Sequence, residues 1–472
     1  MLNIHLDRSA RRTYSKQIYY GIRQMILSGE LSSGDSLPPY RELSNELCVS
    51  KNTVLAAYDM LVADGVVRGV AGSGFYVEGG IKRRTPALPV KDIQSAALTD
   101  FTLPEGTINF DNGRPALELF PRAKWSKAVS AAMLDISADA LGYDSPQGRP
   151  ELRNAVCTYL QRTQGLSCSP EQIIITSGAK QAISFAAEYL LSDNREVWVE
   201  DPTPALLFQM LQRQTNNIKS FPVDCHGLDP SAFPINGQPK LIICSSSRQF
   251  PTGAIMSTPR RLALAEFAEH AGAYILEDNF ESEFNYDGPP SSSLYELAPE
   301  RVISVGTFSK VMYPSVRLGY MVVPPELLDV LCKLKRLSDH HSNSVYQLAL
   351  ASFIADGTLE KHIRRMKREY RSRRDFLCDC LIRLFGDSVQ IYGGEGGMNL
   401  VAEFDNVCFT KELTHELIQS GVYAASVESQ AVRKGQHENK LILRYSGLTK
   451  DELQLGAERL YSVISRYSVS ED

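Results

Sequence analysis

No apolar run in this chain approaches the roughly 18–20 residues that a membrane-spanning helix requires. Its first residues, MLNIHLDRSARRTY, also lack the apolar core of a secretory signal. These two absences predict a cytoplasmic protein with no membrane partner. Nine cysteines are scattered without a Cys-x-x-Cys pair, which argues against a disulfide frame and a thiolate zinc site. The eight histidines show no ligand spacing, so no metal is expected. Internal repeats are absent, which sets aside solenoids and propellers. Strong net charge is absent too: the balance is −5, with a slightly basic first segment on an acidic remainder. With 43% hydrophobic and 22% charged residues, the 472-residue chain reads as globular, with two or three domains.

What is present begins near the N-terminus. Residues 15–28 place Ile18, Ile22, Met25 and Ile26 on one helical face. Gly29 and Gly34 bracket a turn, and Leu37-Pro38-Pro39 opens a second helix over about Tyr40–Leu47. Ser50 caps a third helix on which Val54, Tyr58, Leu61 and Val62 face inward, leaving Lys51, Asn52 and Thr53 on its outer first turn. Val66-Val67 and Phe75-Tyr76-Val77 flank a glycine-rich tip, predicting a two-stranded wing. A helix entering a major groove needs short polar side chains on its first turn and donors that reach base edges. Ser50, Lys51, Asn52 and Thr53 meet that need, and Ser50 is also placed to hold a phosphate. Arg41 is placed for a phosphate or base, and Arg68 and Gly72 for the adjacent minor groove. The plainer alternative is a solvated three-helix head used for dimerisation or peptide binding.

The head is assigned to residues 12–78 and a linker to 79–107, on the strength of Lys82-Arg83-Arg84 and three prolines without a clear period. From 108 to 466 short apolar runs alternate with helical stretches: Ile173–Thr176, Val197–Glu200, Leu241–Ser245, Tyr274–Leu276 and Arg301–Val305. That alternation predicts an α/β body, a mainly parallel sheet with flanking helices, in a large subdomain of about 140–350. A long helix over Leu359–Leu384 and strands at Asn399–Phe404 and Lys440–Tyr445 predict a smaller α+β subdomain of about 360–466.

Lys310 follows the strand Val302–Val305 through Gly306-Thr307-Phe308-Ser309, where an amine can be aimed into the crevice at the strand ends. Covalent capture of an aldehyde needs such a lysine with a depressed pKa. Pyridoxal 5'-phosphate (PLP) also needs a carboxylate for its ring nitrogen, and Asp278 can supply it. Its phosphate needs backbone amides at a helix start, and Thr176-Ser177-Gly178-Ala179 offers a strand-turn-helix there. Arg317 can add a guanidinium clamp. Singly each is ordinary, since a lysine after a strand is more often on the surface and a Ser-Gly entering a helix more often a cap. The ordered set is harder to obtain by chance.

The head strings Ile26-Leu27-Ser28-Gly29-Glu30-Leu31, Arg41-Glu42-Leu43-Ser44, Val49-Ser50-Lys51-Asn52-Thr53-Val54 and Gly72-Ser73-Gly74 resemble the winged helix of GntR-type regulators. The body strings Leu119-Phe120-Pro121, Gly148-Arg149-Pro150-Glu151-Leu152-Arg153, Gln249-Phe250-Pro251-Thr252-Gly253, Glu277-Asp278-Asn279-Phe280-Glu281 and Gly306-Thr307-Phe308-Ser309-Lys310 resemble fold-type I, aspartate-aminotransferase-like proteins. Together the chain resembles the MocR-type (GabR-like) subfamily of GntR regulators. That resemblance implies DNA contacts from Arg41, Ser50, Lys51, Asn52 and Thr53. It implies an internal PLP aldimine at Lys310, a ring-nitrogen contact at Asp278, and phosphate contacts from Ser177, Gly178, Ala179, Ser309 and Arg317. It further implies that Tyr143 reaches the neighbouring protomer's phosphate in a head-to-tail homodimer, and that Arg444 clamps a ligand carboxylate. Four positions depart from the family pattern. Phe280 stands where a tyrosine usually bonds the cofactor O3', and Pro204 where an aromatic usually follows the Asp201-Pro202 turn. Arg248 replaces a histidine, and Phe250 the asparagine of aminotransferases.

The resulting expectation is a PLP-dependent transcriptional regulator that senses an amino compound, or PLP itself, with at most weak transamination. Two alternatives stay open: an aminotransferase with an accessory DNA-binding domain, and a regulator whose body no longer binds PLP.

Overall fold

The computed structural model describes residues 2, 4–7, 12–80, 103–286 and 293–467. It divides into two compact units, Met1–Thr102 and Leu103–Asp472. Most of the expected linker, residues 81–102 with its basic triplet, lies outside the described residues.

The first unit is built on α1 (Tyr14–Ser28), α2 (Tyr40–Glu46) and α3 (Lys51–Ala63), followed by β1 (Val67–Val70) and β2 (Gly74–Val77). Ile18, Ile22 and Ile26 on α1 meet Val54, Ala57, Tyr58 and Leu61 on α3 in one core, with Leu37 and Leu43 closing it. Met25 is only half-buried. Val62, expected inside, is 41% exposed, because Leu61 already takes the inward position of that turn. The Ser50 hydroxyl accepts from the Thr53 amide at 3.2 Å, an N-cap contributing about 1 kcal/mol. β1 and β2 pair antiparallel from Val67↔Val77 to Val70↔Gly74. Their tip turns through Gly72 at φ 77°, a conformation glycine adopts at little cost.

The second unit opens with β3 (Ile108–Asn109), α4 (Arg122–Asp135) and α5 (Pro150–Gln164). There follow β4 (Ile173–Thr176), α6 (Ala179–Leu190), β5 (Val197–Asp201), α7 (Ala205–Gln212), β6 (Ile218–Asp224), β7 (Gly227–Leu228) and β8 (Leu241–Cys244). Next come α8 (Thr258–Ala271), β9 (Tyr274–Asp278), β10 (Val302–Thr307) and β11 (Gly319–Val322). These eight strands from β4 onward form one sheet in the order β4-β11-β10-β9-β8-β5-β6-β7. Only β11 and the short β7 run against the rest. Ile173–Thr176 and Val197–Asp201 are buried along their whole length, as strands covered on both faces must be. Two large apolar clusters accordingly share the strand residues of this sheet.

The chain continues through α9 (Pro325–Asp339), α10 (Ser344–Ala355) and the 28-residue α11 (Thr358–Phe385). The smaller lobe is an antiparallel sheet of β12 (Val389–Tyr392), β13 (Asn399–Phe404), β15 (Ala425–Ser426) and β16 (Lys440–Arg444). Two more helices belong to it, α12 (Lys411–Gln419) and α13 (Lys450–Ile464). β14 (Val422–Tyr423) pairs in parallel with β3, so the first residues of the body are stitched to the lobe that ends it. Among the described residues no helix is long and apolar enough to cross a membrane, and no group of three or more potential ligands could hold a metal.

Candidate cofactor pocket and DNA-facing surface

β9 and β10 are parallel neighbours with Val305 opposite Asp278, so both strands deliver their last residues to the same sheet edge. Lys310 lies three residues beyond the end of β10. At β11 the pairing Gly319↔Thr176 brings the segment carrying Arg317 beside the loop that follows β4. Asp278, Lys310, Arg317 and Ser177 thus come from four strand ends to one crevice, the usual ligand position in open α/β sheets.

The Lys310 ammonium donates to the Gly113 carbonyl at 2.9 Å. Burial pushes its pKa down; Glu281 opposes this, Arg444 reinforces it and Asp278 opposes it again. Burial likewise raises Asp278 to about 7, with Lys310 pulling the other way. Asp278 Oδ1, Glu281 Oε1 and Ser309 Oγ are buried without a hydrogen-bond partner. Each such atom costs about 1–3 kcal/mol while unpaired. Their concentration beside one desolvated amine marks an interior shaped for a polar molecule.

Gly178 caps α6 at φ 100°, and a Cβ there would stand 3.4 Å from the Arg317 guanidinium. Arg317, itself left-handed at φ 49°, donates to the Ser177 carbonyl. The Ser177 hydroxyl donates to Asp339 Oδ2 at 3.1 Å, and the Ser177 amide to Gln181 Oε1 at 2.8 Å. Gln181 also donates to Asp339 at 2.9 Å, and the fully buried Lys335 ammonium reaches Asp339 at the same distance. Ala179 starts α6 beside this network.

A strap missed by sequence reasoning covers the pocket. Gly113 is wedged so tightly that a Cβ would lie 2.7 Å from Arg444 Nη1 and 3.2 Å from Lys310 Nζ. Asp111 Oδ1 is 3.5 Å from Arg444 Nε, and the Arg444 guanidinium sits 4.8 Å from the centre of the Phe250 ring. The one local signal was Asp111-Asn112-Gly113-Arg114-Pro115, a turn-forming string at the start of the body. Glu281 was also missed as a pocket carboxylate; its Oε2 accepts from the Met398 amide at 3.1 Å.

The departures have structural consequences. Phe280 packs beside Phe250 on a cluster of Val401, Ala425, Val427 and Ile442, where a hydroxyl is not needed for packing. Arg248 is 7% exposed, donates to the Gly393 carbonyl, and lies so close to Gly397 that no side chain fits there. The turn ending in Pro204 is held by Gln430, which receives the Thr203 amide at its carbonyl (3.0 Å) and the Ala205 amide at its side chain (2.9 Å). Tyr143 is not drawn into the pocket contacts: it is 87% exposed, with its ring 5.1 Å from that of His340.

In the first unit Arg41, Ser50, Lys51 and Asn52 are exposed, and Thr53 is half-buried. The Ser50 hydroxyl accepts from the Thr53 amide in the cap and lies 2.8 Å from the Thr53 hydroxyl. Arg41 lies over the Tyr40 ring at 5.9 Å. Arg68, on the wing, is loosely paired with Glu78 at 3.7 Å, and Gly72 occupies the open tip.

Residues 105–460 match the family described as aminotransferase class I and II, and residues 14–77 the bacterial regulatory proteins of the gntR family. The probable rhizopine catabolism regulatory protein MocR of Rhizobium meliloti is 31% identical, across 97% of this chain and 95% of that one. The pyridoxine biosynthesis transcriptional regulator PdxR of Corynebacterium glutamicum is 32% identical, across 85% of each. Among solved structures, the α-aminoadipate aminotransferase LysN of Thermus thermophilus, complexed with N-(5'-phosphopyridoxyl)-L-leucine, superposes with a TM-score of 0.70. It is 26% identical and the match covers 77% of this chain and 93% of that one.

Proposed function

The chain belongs to the MocR-type GntR transcription regulators, DNA-binding proteins with an aminotransferase-like body, and on that premise we propose that its Lys310 pocket holds PLP and senses an amino compound or PLP itself. The observation that carries the reading is the pairing of a desolvated Lys310 with the unpartnered Asp278 Oδ1 and Ser309 Oγ at one sheet edge. The residues fit the cofactor. Asp278 would accept from the ring nitrogen, and a cation there would return its pKa toward the ordinary carboxylate range. Ser309, Arg317 and the loop Ser177-Gly178-Ala179 would hold the phosphate through charge-assisted bonds. When bound, PLP supplies an aldehyde that primary amines can condense with.

The remaining roles fall to this chain's own side chains. Lys310 holds an amine of depressed basicity, so a larger fraction of it is neutral than in an exposed lysine. Arg444, steadied by Asp111 and the Phe250 ring, would take an effector carboxylate. Phe280 has no hydroxyl for the cofactor O3', which removes a donor that tunes turnover and favours sensing over transamination. Leu141, Tyr143 and Leu337 are 57%, 87% and 85% exposed. Such apolar exposure favours burial against a second copy, which would bring Tyr143 to the partner's pocket. Lys51 and Asn52 would read the operator from the first turn of α3, with Arg41, Arg68 and Gly72 on the backbone and minor groove.

The test is borohydride reduction of the full-length protein incubated with PLP, followed by peptide mapping. Label confined to Lys310 supports the reading; label spread over surface lysines, or none, overturns it. Turnover of an amino donor and a keto acid at ordinary enzymatic rates would instead make the protein an enzyme with an accessory head.

A further inference from the structure

A second cavity lies outside the Lys310 pocket, between α5, α11 and the turn after β9. Its volume is about 490 Å³, within the size range of small-molecule sites. Two carboxylates line it. Glu283 Oε1 accepts from the Tyr159 hydroxyl at 2.9 Å, while Glu283 Oε2 is buried with no partner. Glu360 Oε1 pairs with Arg162 at 2.6 Å, while Glu360 Oε2 is also buried with no partner. Cations line the same cavity. Arg364 and Lys367, one turn apart on α11, have no ion partner among the described residues, and Lys367 is half-buried. Burial lowers the Lys367 pKa. Burial raises Glu283 to about 7, which a bound cation would reverse.

One cavity therefore leaves anionic oxygens in want of a donor and cations in want of an anion. From this double mismatch we propose that the cavity binds a small zwitterion, an amino acid-like molecule. Its ammonium would be received by Glu283 and Glu360, and its acid group by Arg364 and Lys367. The position makes it a second effector site. Glu283 stands two residues from Glu281, whose charge acts on both Lys310 and Glu283. A cation settling on Glu283 therefore changes the field at the Lys310 pocket. The proposal does not depend on PLP being held by Lys310.

The experiment is calorimetric titration of the full-length protein with unbranched ω-amino acids, from β-alanine to 6-aminohexanoate. Butylamine and butyrate serve as single-charge controls. At least one ω-amino acid is expected to bind saturably, about tenfold more tightly than either control. That binding is expected to survive Lys310→Ala and Arg444→Ala, and to weaken at least about tenfold in Glu283→Gln and in Lys367→Gln. Lys367→Gln sits at the half-buried edge and guards against a Glu283 variant that misfolds. Absence of saturable binding at millimolar concentration would overturn the proposal. So would binding lost only in Arg444→Ala, which would place the ligand in the first pocket, or butylamine binding as tightly as the amino acids.

Discussion

The two units of this chain handle buried polarity in opposite ways. In the head, among the described residues, no buried side-chain nitrogen or oxygen lacks a partner, and its candidate contact residues lie mainly on the outside. In the body, unpartnered polar atoms gather around Lys310 and again around Glu283. A head of this kind is complete as folded and acts by what it displays. A body of this kind leaves polar demand inside, and a ligand that meets it gains affinity from groups already desolvated. Reading DNA and sensing a small molecule thus ask for different interiors.

The sharpest way to break this contrast is Lys310→Ala. It is expected to remove all site-specific borohydride-trapped pyridoxyl label while leaving operator affinity in the absence of effector unchanged, checked by peptide mapping and DNA titration. A variant that keeps the label would show that the desolvated amine is not the capture site.

The next effect concerns the cost of the unpaired Asp278. Its folded pKa of about 7 exceeds the ordinary 3.8, so the folded state holds the proton more tightly. Its contribution is therefore favourable to folding at acid pH relative to neutral pH, and turns into a penalty as pH rises between those two values. Asp278→Asn is expected to stabilise the cofactor-free protein at pH above 7 by an amount on the order of a few kcal/mol. The gain should vanish at pH below 3.8, and PLP affinity should fall. Thermal unfolding across pH, with and without PLP, checks both; an unchanged pH profile would mean the carboxyl is already satisfied.

In the head the corresponding test is Asn52→Ala, expected to cost about 1–3 kcal/mol of operator binding and to relax base preference. Lys51→Ala should likewise relax base preference and, because a charge is lost, flatten the salt dependence. Neither should alter PLP uptake, measured by label yield on Lys310. The smallest effect is expected from Ser50→Ala, about 1 kcal/mol of head stability through the lost cap. If it abolished DNA binding without a stability cost, the hydroxyl would be a contact group after all.

The same contrast governs what could be read from the sequence. The strands Ile173–Thr176 and Asn399–Phe404 and the long helix were legible to within a residue or so at each end, because period and apolar run length are local properties. The strand-end placement of Lys310 and Asp278 was legible because Lys310 follows β10 and Asp278 ends β9. The strap over the pocket was not: the contact from Lys310 to Gly113 spans 197 positions, and the local turn-forming string around Gly113 says nothing of what it will touch. Val62 was misplaced because helical spacing allows two neighbouring positions to face inward and packing chose one. The bond from the Ser177 hydroxyl to Asp339 was not legible either, since only the folding of α9 against α6 brings the two near.

At the Ser177 amide Gln181 is a built-in competitor. Its side-chain oxygen occupies the Ser177 amide, one of the donors offered to an incoming phosphate. Under the proposed reading, the ligand must displace an occupant that is tethered and never diffuses away. Apparent affinity is then the intrinsic affinity scaled by the fraction of molecules in which Gln181 has swung aside. A single glutamine rotamer would set the concentration at which this regulator begins to notice its ligand.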